Sequence, residues 1–165
     1  DGRYFLNASK EEYDVVILDA FLGDSSPSHL MSRECFESMS QRMENDAVLV
    51  INAFGHFSEG EDFFMASLDK TLRAVFKSVH IHDGTRGNVF FVASKKEGLE
   101  PHRSMDMSEV HPKLIPFVET AWKNTIDANP ESGIILTDNY NPVEYYDSKI
   151  REEIRLNFAL NMRGK

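Results

Sequence analysis

The chain has 165 residues, 41% apolar and 27% charged, with a net charge of −9. That length suits one domain with a real core and is short for two, and the acidic balance argues against a nucleic-acid or anionic-membrane surface, both of which want clustered Lys and Arg. A single cysteine, Cys35, excludes an internal disulfide framework and a cysteine-based zinc site, and no apolar run approaches the ~20 residues of a membrane helix, so a cytoplasmic protein without membrane insertion is expected.

Residues 1–9, DGRYFLNAS, read as a short amphipathic helix with Tyr4, Phe5 and Ala8 on one side. Residues 13–20, YDVVILDA, are a continuous apolar run, too short for a helix and rich in β-branched side chains. The pattern predicts a strand buried on both faces. SRECFESMSQRM, 32–43, places a serine at the cap position and Cys35, Phe36, Met39 and Met43 at helical spacing. DAVLVINAFG, 46–55, is a second buried strand. EDFFMASLDKTLRAVF, 61–76, is a second amphipathic helix that turns Phe64, Leu68, Leu72, Val75 and Phe76 inward. SVHIHD and VFFVAS flank the turn GTRGN and predict a hairpin.

After residue 96 the pattern changes. Residues 97–114 are loop-like, 114–128 helical with Phe117 and Trp122 expected to be buried, and 142–162 a longer amphipathic helix. Alternating strands and helices followed by a terminal hairpin predict an α/β fold, a Rossmann-like three-layer sandwich with a mostly parallel sheet and a reversed last strand. The expected organisation is a single partial domain over 1–165, with a sheet portion at 1–96 and a helical extension at 97–165.

Ligands of open parallel sheets bind beyond the carboxyl ends of the strands. Asp19 ends the first strand there, before a Gly-, Ser- and Pro-rich loop, GDSSPSH, that suits closure over a ligand. Its carboxylate could bind an amine and serve as general base; an aspartate capping the next turn is the plainer alternative.

The ordered set DGRYFL, YDVVILDAF, GDSSPSHLMSRECFE, DAVLVINAFG and, at 136–144, LTDNYNPVE resembles the C-terminal half of the spermidine-synthase-like polyamine aminopropyltransferases. The resemblance implies the class I S-adenosylmethionine-dependent methyltransferase fold and an aminopropyl transfer from decarboxylated S-adenosylmethionine to a polyamine. By residue, it implies Asp1 and Gly2 at the adenine, Ser26 and Pro27 as its wall, and Asp19 as the group that binds the attacking amine and takes its proton. It further implies Asn52 beside a small-molecule amine, and no metal. Asp24, the next acid in the loop, and His29, which could orient a ligand but is favoured as a group that shapes the loop, are further substrate-side candidates, and a homo-oligomer is expected. A second acid expected three residues after Asp19 is replaced by Leu22, which points toward an alternative: a methyltransferase using S-adenosylmethionine itself. The family's glycine-rich cofactor loop has no counterpart in the chain, so the first strand would be an unpaired apolar edge. A fragment, or a non-catalytic partner subunit that keeps only the fold, is therefore a further expectation.

The remaining signals carry less. His80 and His82 share one strand face beside Asp83, a spacing that could begin a zinc site, though no third ligand is apparent and a solvent-facing surface is favoured. His56 falls in the region expected for substrate. Asp138, Asn139 and Tyr140 fit a polar turn before a helix starting at Pro142.

Overall fold

Strands and helices follow one another along the chain, with β3 and β4 adjacent, in a computed structural model that describes residues 1–21, 26–55, 57, 62–84, 87–99, 106–128, 130–146, 148, 152 and 156. The helices are α1 (Gly2–Ala8), α2 (Arg33–Gln41), α3 (Phe63–Arg73) and α4 (Ile115–Lys123). The strands are β1 (Tyr13–Leu18), β2 (Met43–Phe54), β3 (Ser78–Asp83) and β4 (Asn88–Ser94), in the spatial order β1-β2-β4-β3. β1 and β2 run parallel, whereas β4 is antiparallel to both of its neighbours. The reversed last strand is thus inserted between β2 and β3 rather than added at the edge. Gly87, at φ 84°, takes the left-handed conformation that the β3–β4 turn requires.

The helix signals in the sequence correspond to real caps. Ser32 accepts a hydrogen bond from the Cys35 amide at 3.2 Å and starts α2, and Asp1 accepts from the Tyr4 amide at 2.9 Å and starts α1. Met43 does not continue α2; it opens β2, which begins three residues before the apolar run and pairs with Tyr13.

The core lies on one face of the sheet. Leu49, Ile51, Ala53, Ile81, Phe91 and Ala93 meet Cys35, Phe36, Met39, Phe64, Leu68 and Leu72 from α2 and α3, all buried. The opposite face corrects the expectation of strands buried on both sides. Val15 and Ile17 are 52% and 69% exposed, and Val48, Val50 and Val92, in register with them across the sheet, are only partly buried, as is Phe90 on the same face. The reason is topological: α2 and α3 pack together on the first face, whereas on the other α4 packs at the β3 end. Among the described strands β1 lies at one end of the sheet, paired with β2.

Three smaller expectations are also corrected. In α1 the buried residue is Leu6, while Tyr4 and Phe5 are exposed. Phe117 and Trp122 are exposed rather than buried, because α4 lies at the sheet margin with nothing described over its outer side. Trp122 instead stacks on His82 at 6.2 Å between ring centres, and the His82 Nδ1 lies 3.2 Å from the Ala121 carbonyl, so His82 is a packing group half-buried under α4. Among the described residues no helix is long and apolar enough to cross a membrane, and no group of three His, Cys, Asp or Glu side chains is placed to hold a metal ion.

Cys35 is fully buried, and burial pushes its thiol pKa up to about 11. Thiol reagents attack the thiolate. Labelling of the folded protein near neutral pH is therefore expected to be at least ~10²-fold slower than in urea, where the thiol titrates near 8.5. Comparable rates in a time course with Ellman's reagent would contradict this placement.

Candidate functional site at the carboxyl ends of β1 and β2

Parallel pairing brings the ends of β1 and β2 side by side. Leu18 is in register with Ile51, so the next residues, Asp19 and Asn52, stand opposite one another. The side-chain alternation that buries Leu18 turns Asp19 to the less covered face, where the Asn52 Nδ2 donates to its Oδ1 at 3.0 Å. Asp19 is exposed and Asn52 half-buried. The Asn52 Oδ1 is itself buried and has no hydrogen-bond partner among the described residues. An acceptor left in that state costs ~1–3 kcal/mol relative to a paired one, a cost that a donor on a bound molecule would relieve. Phe21 and Phe54 pack at 5.1 Å and supply an apolar margin at the same end of the sheet.

The residues implied for the nucleoside side form a separate group. Both Asp1 oxygens are engaged: Oδ1 caps α1, and Oδ2 lies 2.9 Å from the His29 Nε2. Gly2 has open space where a Cβ would be. Ser26 and Pro27 are buried, so the expected wall is closed in this conformation. Among the described residues no hydrogen bond joins the Asp1–His29 pair to the Asp19–Asn52 pair. Asp24 and His56 lie outside the described residues.

Asp138 of the 136–144 motif ties this group together, a contact that local patterning does not indicate. Arg3 reaches Asp138, 135 positions away, through two hydrogen bonds of 2.8 and 2.6 Å. Ser32 donates to the same carboxylate at 2.6 Å, and the Asp138 amide donates to Glu34 at 3.0 Å. Arg3 and Asp138, with Ser28, His29, Thr137 and Asn141, line a cavity of about 250 Å³. The hydrogen bond to Asp138 is the main cause that raises the Arg3 pKa. The hydrogen bond from Arg3 is likewise the main cause that holds the Asp138 carboxyl below the usual carboxylate value, against the opposing effect of burial.

The linkage has a definite sign. A carboxyl that titrates lower when folded stabilises the fold fully above its unfolded value of about 3.9, and that contribution is lost as pH falls through the folded value. Asp138 is 38% exposed, so solvent screens the effect. Between about pH 6 and pH 3, urea midpoints are expected to fall more steeply in the parent protein than in Asp138→Asn. Parallel slopes would remove Asp138 from the acid response.

Comparison with known proteins agrees with this architecture. No protein-family model matches the chain. In sequence it is 34% identical to polyamine aminopropyltransferase 2 of Pseudomonas aeruginosa over 87 residues, 52% of this chain and 25% of that protein. It is 29% identical to the polyamine aminopropyltransferase of Vibrio vulnificus over 153 residues, 86% of this chain and 50% of that protein. The chain thus spans between a quarter and a half of the length of these two relatives. Among solved structures, a probable spermidine synthase from Corynebacterium glutamicum superposes with a TM-score of 0.51 at 16% identity, over 91% of this chain and 49% of that one. At that identity the likeness concerns the fold, an α/β fold of the class I methyltransferase type.

Proposed function

We propose that this chain carries the amine-binding side of an aminopropyltransferase site, moving an aminopropyl group from decarboxylated S-adenosylmethionine to a small-molecule amine. The observation that carries the reading is the Asp19–Asn52 pair at the carboxyl ends of two parallel strands. The names of the two bacterial relatives give independent support.

Asn52 occupies one oxygen of Asp19 and orients the carboxylate, leaving the second oxygen as an acceptor for an amine N–H. In the transfer, the nitrogen lone pair forms a bond to the aminopropyl carbon attached to sulfur. The carbon–sulfur bond breaks, and the sulfonium leaves as the neutral thioether methylthioadenosine. The new ammonium releases one proton, for which Asp19 is the acceptor. The sulfonium is its own activated leaving group, so Asp19 need only bind, orient and accept a proton. On the nucleoside side, Gly2 offers open space, and Asp1, half exposed, keeps lone pairs free to accept from an adenine amino group beside its bonds to the Tyr4 amide and His29, whereas Ser26 and Pro27 are buried.

The assay supplies decarboxylated S-adenosylmethionine with and without putrescine to this chain. Putrescine-dependent release of methylthioadenosine is the expected result. Leu22, standing where a second acid would grip a diamine, favours one competing reading, methyl transfer. Formation of S-adenosylhomocysteine from S-adenosylmethionine, indifferent to diamine, would replace the proposal with that reading. No product from either donor would leave a non-catalytic subunit.

A further inference from the structure

Asp138 collects ties from two parts of the chain that are distant from it in sequence, α1 and the start of α2. Arg3 comes from α1, and Ser32 is at once a donor to Asp138 and the cap of α2. Glu34, within α2, accepts from the Asp138 amide. The turn that follows adds two more: the Asn141 Nδ2 donates to the Ser28 carbonyl at 2.8 Å, and the Ser28 hydroxyl donates to Glu144 at 2.8 Å. Arg3 also donates to the His29 carbonyl at 3.3 Å, and the His29 ring faces Asp1.

These bonds do what apolar packing does not. α1 has seven residues and buries only Leu6, and a helix that short has little stability of its own. Tyr4 and Phe5 face outward. The position of residues 1–3 against the 28–32 segment therefore depends on polar ties: the Arg3–Asp138 bonds, with Asp138 held in turn by Ser32, and the direct Asp1–His29 and Arg3–His29 contacts.

We propose that this Arg3–Asp138 clasp is a positioning device, fixing residues 1–3 and 28–32 as one wall of the nucleoside side of the site. The inference rests on the functional reading above and adds a role for residues that make no contact with the Asp19–Asn52 pair. Asp138 is a positioning residue: it acts through Arg3 and Ser32. Its loss is felt in the hold on the nucleoside and little in the chemical step.

Asp138→Asn and Arg3→Lys, made in the full chain, test it. The first removes the charge and one acceptor, and the second keeps the charge and loses the two-pronged geometry. Amide exchange across residues 4–9 is expected to speed up ~10-fold or more in both. KM for decarboxylated S-adenosylmethionine is expected to rise ~10-fold, with kcat within ~3-fold and KM for the amine unmoved. Unchanged exchange, or a fall in kcat at constant KM, in a protein that binds nucleoside would overturn the clasp alone. Absence of nucleoside binding in the parent protein would instead overturn the functional reading on which it rests.

Discussion

Replacing Asp19 by Asn is expected to cut amine-dependent turnover by ~10²- to 10⁴-fold, the range associated with loss of a positioned proton acceptor. The fold should survive. Asp19 is exposed, and its hydrogen bond is to Asn52, which an asparagine carbonyl at position 19 can still accept. What the substitution removes is the negative charge facing the amine and the capacity to take up its proton. Nucleoside affinity, measured by calorimetry with methylthioadenosine, should stay within ~3-fold because the interaction lost belongs to the amine. A variant that turned over at the parental rate would leave Asp19 as a strand-end residue and return Asn52 to a packing role.

Gly133→Ala is expected to cost ~2–4 kcal/mol of stability, combining overpacking with the loss of the hydrogen bonds around it. A Cβ at 133 would sit 2.5 Å from both the Ala66 carbonyl carbon and the Ser67 nitrogen. These are backbone atoms of α3, so no rotamer change relieves the clash. The segment would have to lift away, and several bonds depend on its position: Lys70 to the Gly133 carbonyl, the Ile134 amide to Ser67, and the Leu136 amide to Thr71. Urea unfolding checks the figure, and a loss below ~0.5 kcal/mol, the scale of an ordinary surface change, would mean that the segment can move freely. Lifting 133–136 would also strain Asp138 two residues on, so nucleoside binding should weaken alongside stability.

That segment marks the limit of what could be read from the sequence. The strands and both central helices were legible because each carries its own apolar pattern, and Ser32 announced the start of α2 four residues ahead of Phe36's packing position. The buried polar residues of α3 were not. Ser67 and Thr71 look like ordinary helix surface until the returning chain lays its amides against them. Arg3 and Asp138 were illegible for the same reason, since 135 residues separate two side chains that local patterning treats as independent. The one-sided core was misread because a β-branched run such as Val15–Val16–Ile17 is the same in a strand covered twice as in one covered once. Asp19 and Asn52 were legible as strand ends, but their hydrogen bond depends on the β1–β2 register, which the sequence does not state.

The insertion of β4 between β2 and β3 orders the assembly of the sheet. β3 pairs only with β4 among the strands, so it has no seat until the later strand arrives. A nascent chain that has emerged only as far as residue 87 holds two strands in register and a third with nowhere to pair. Ending the polypeptide there should therefore delete two strands from the circular-dichroism signal, not one.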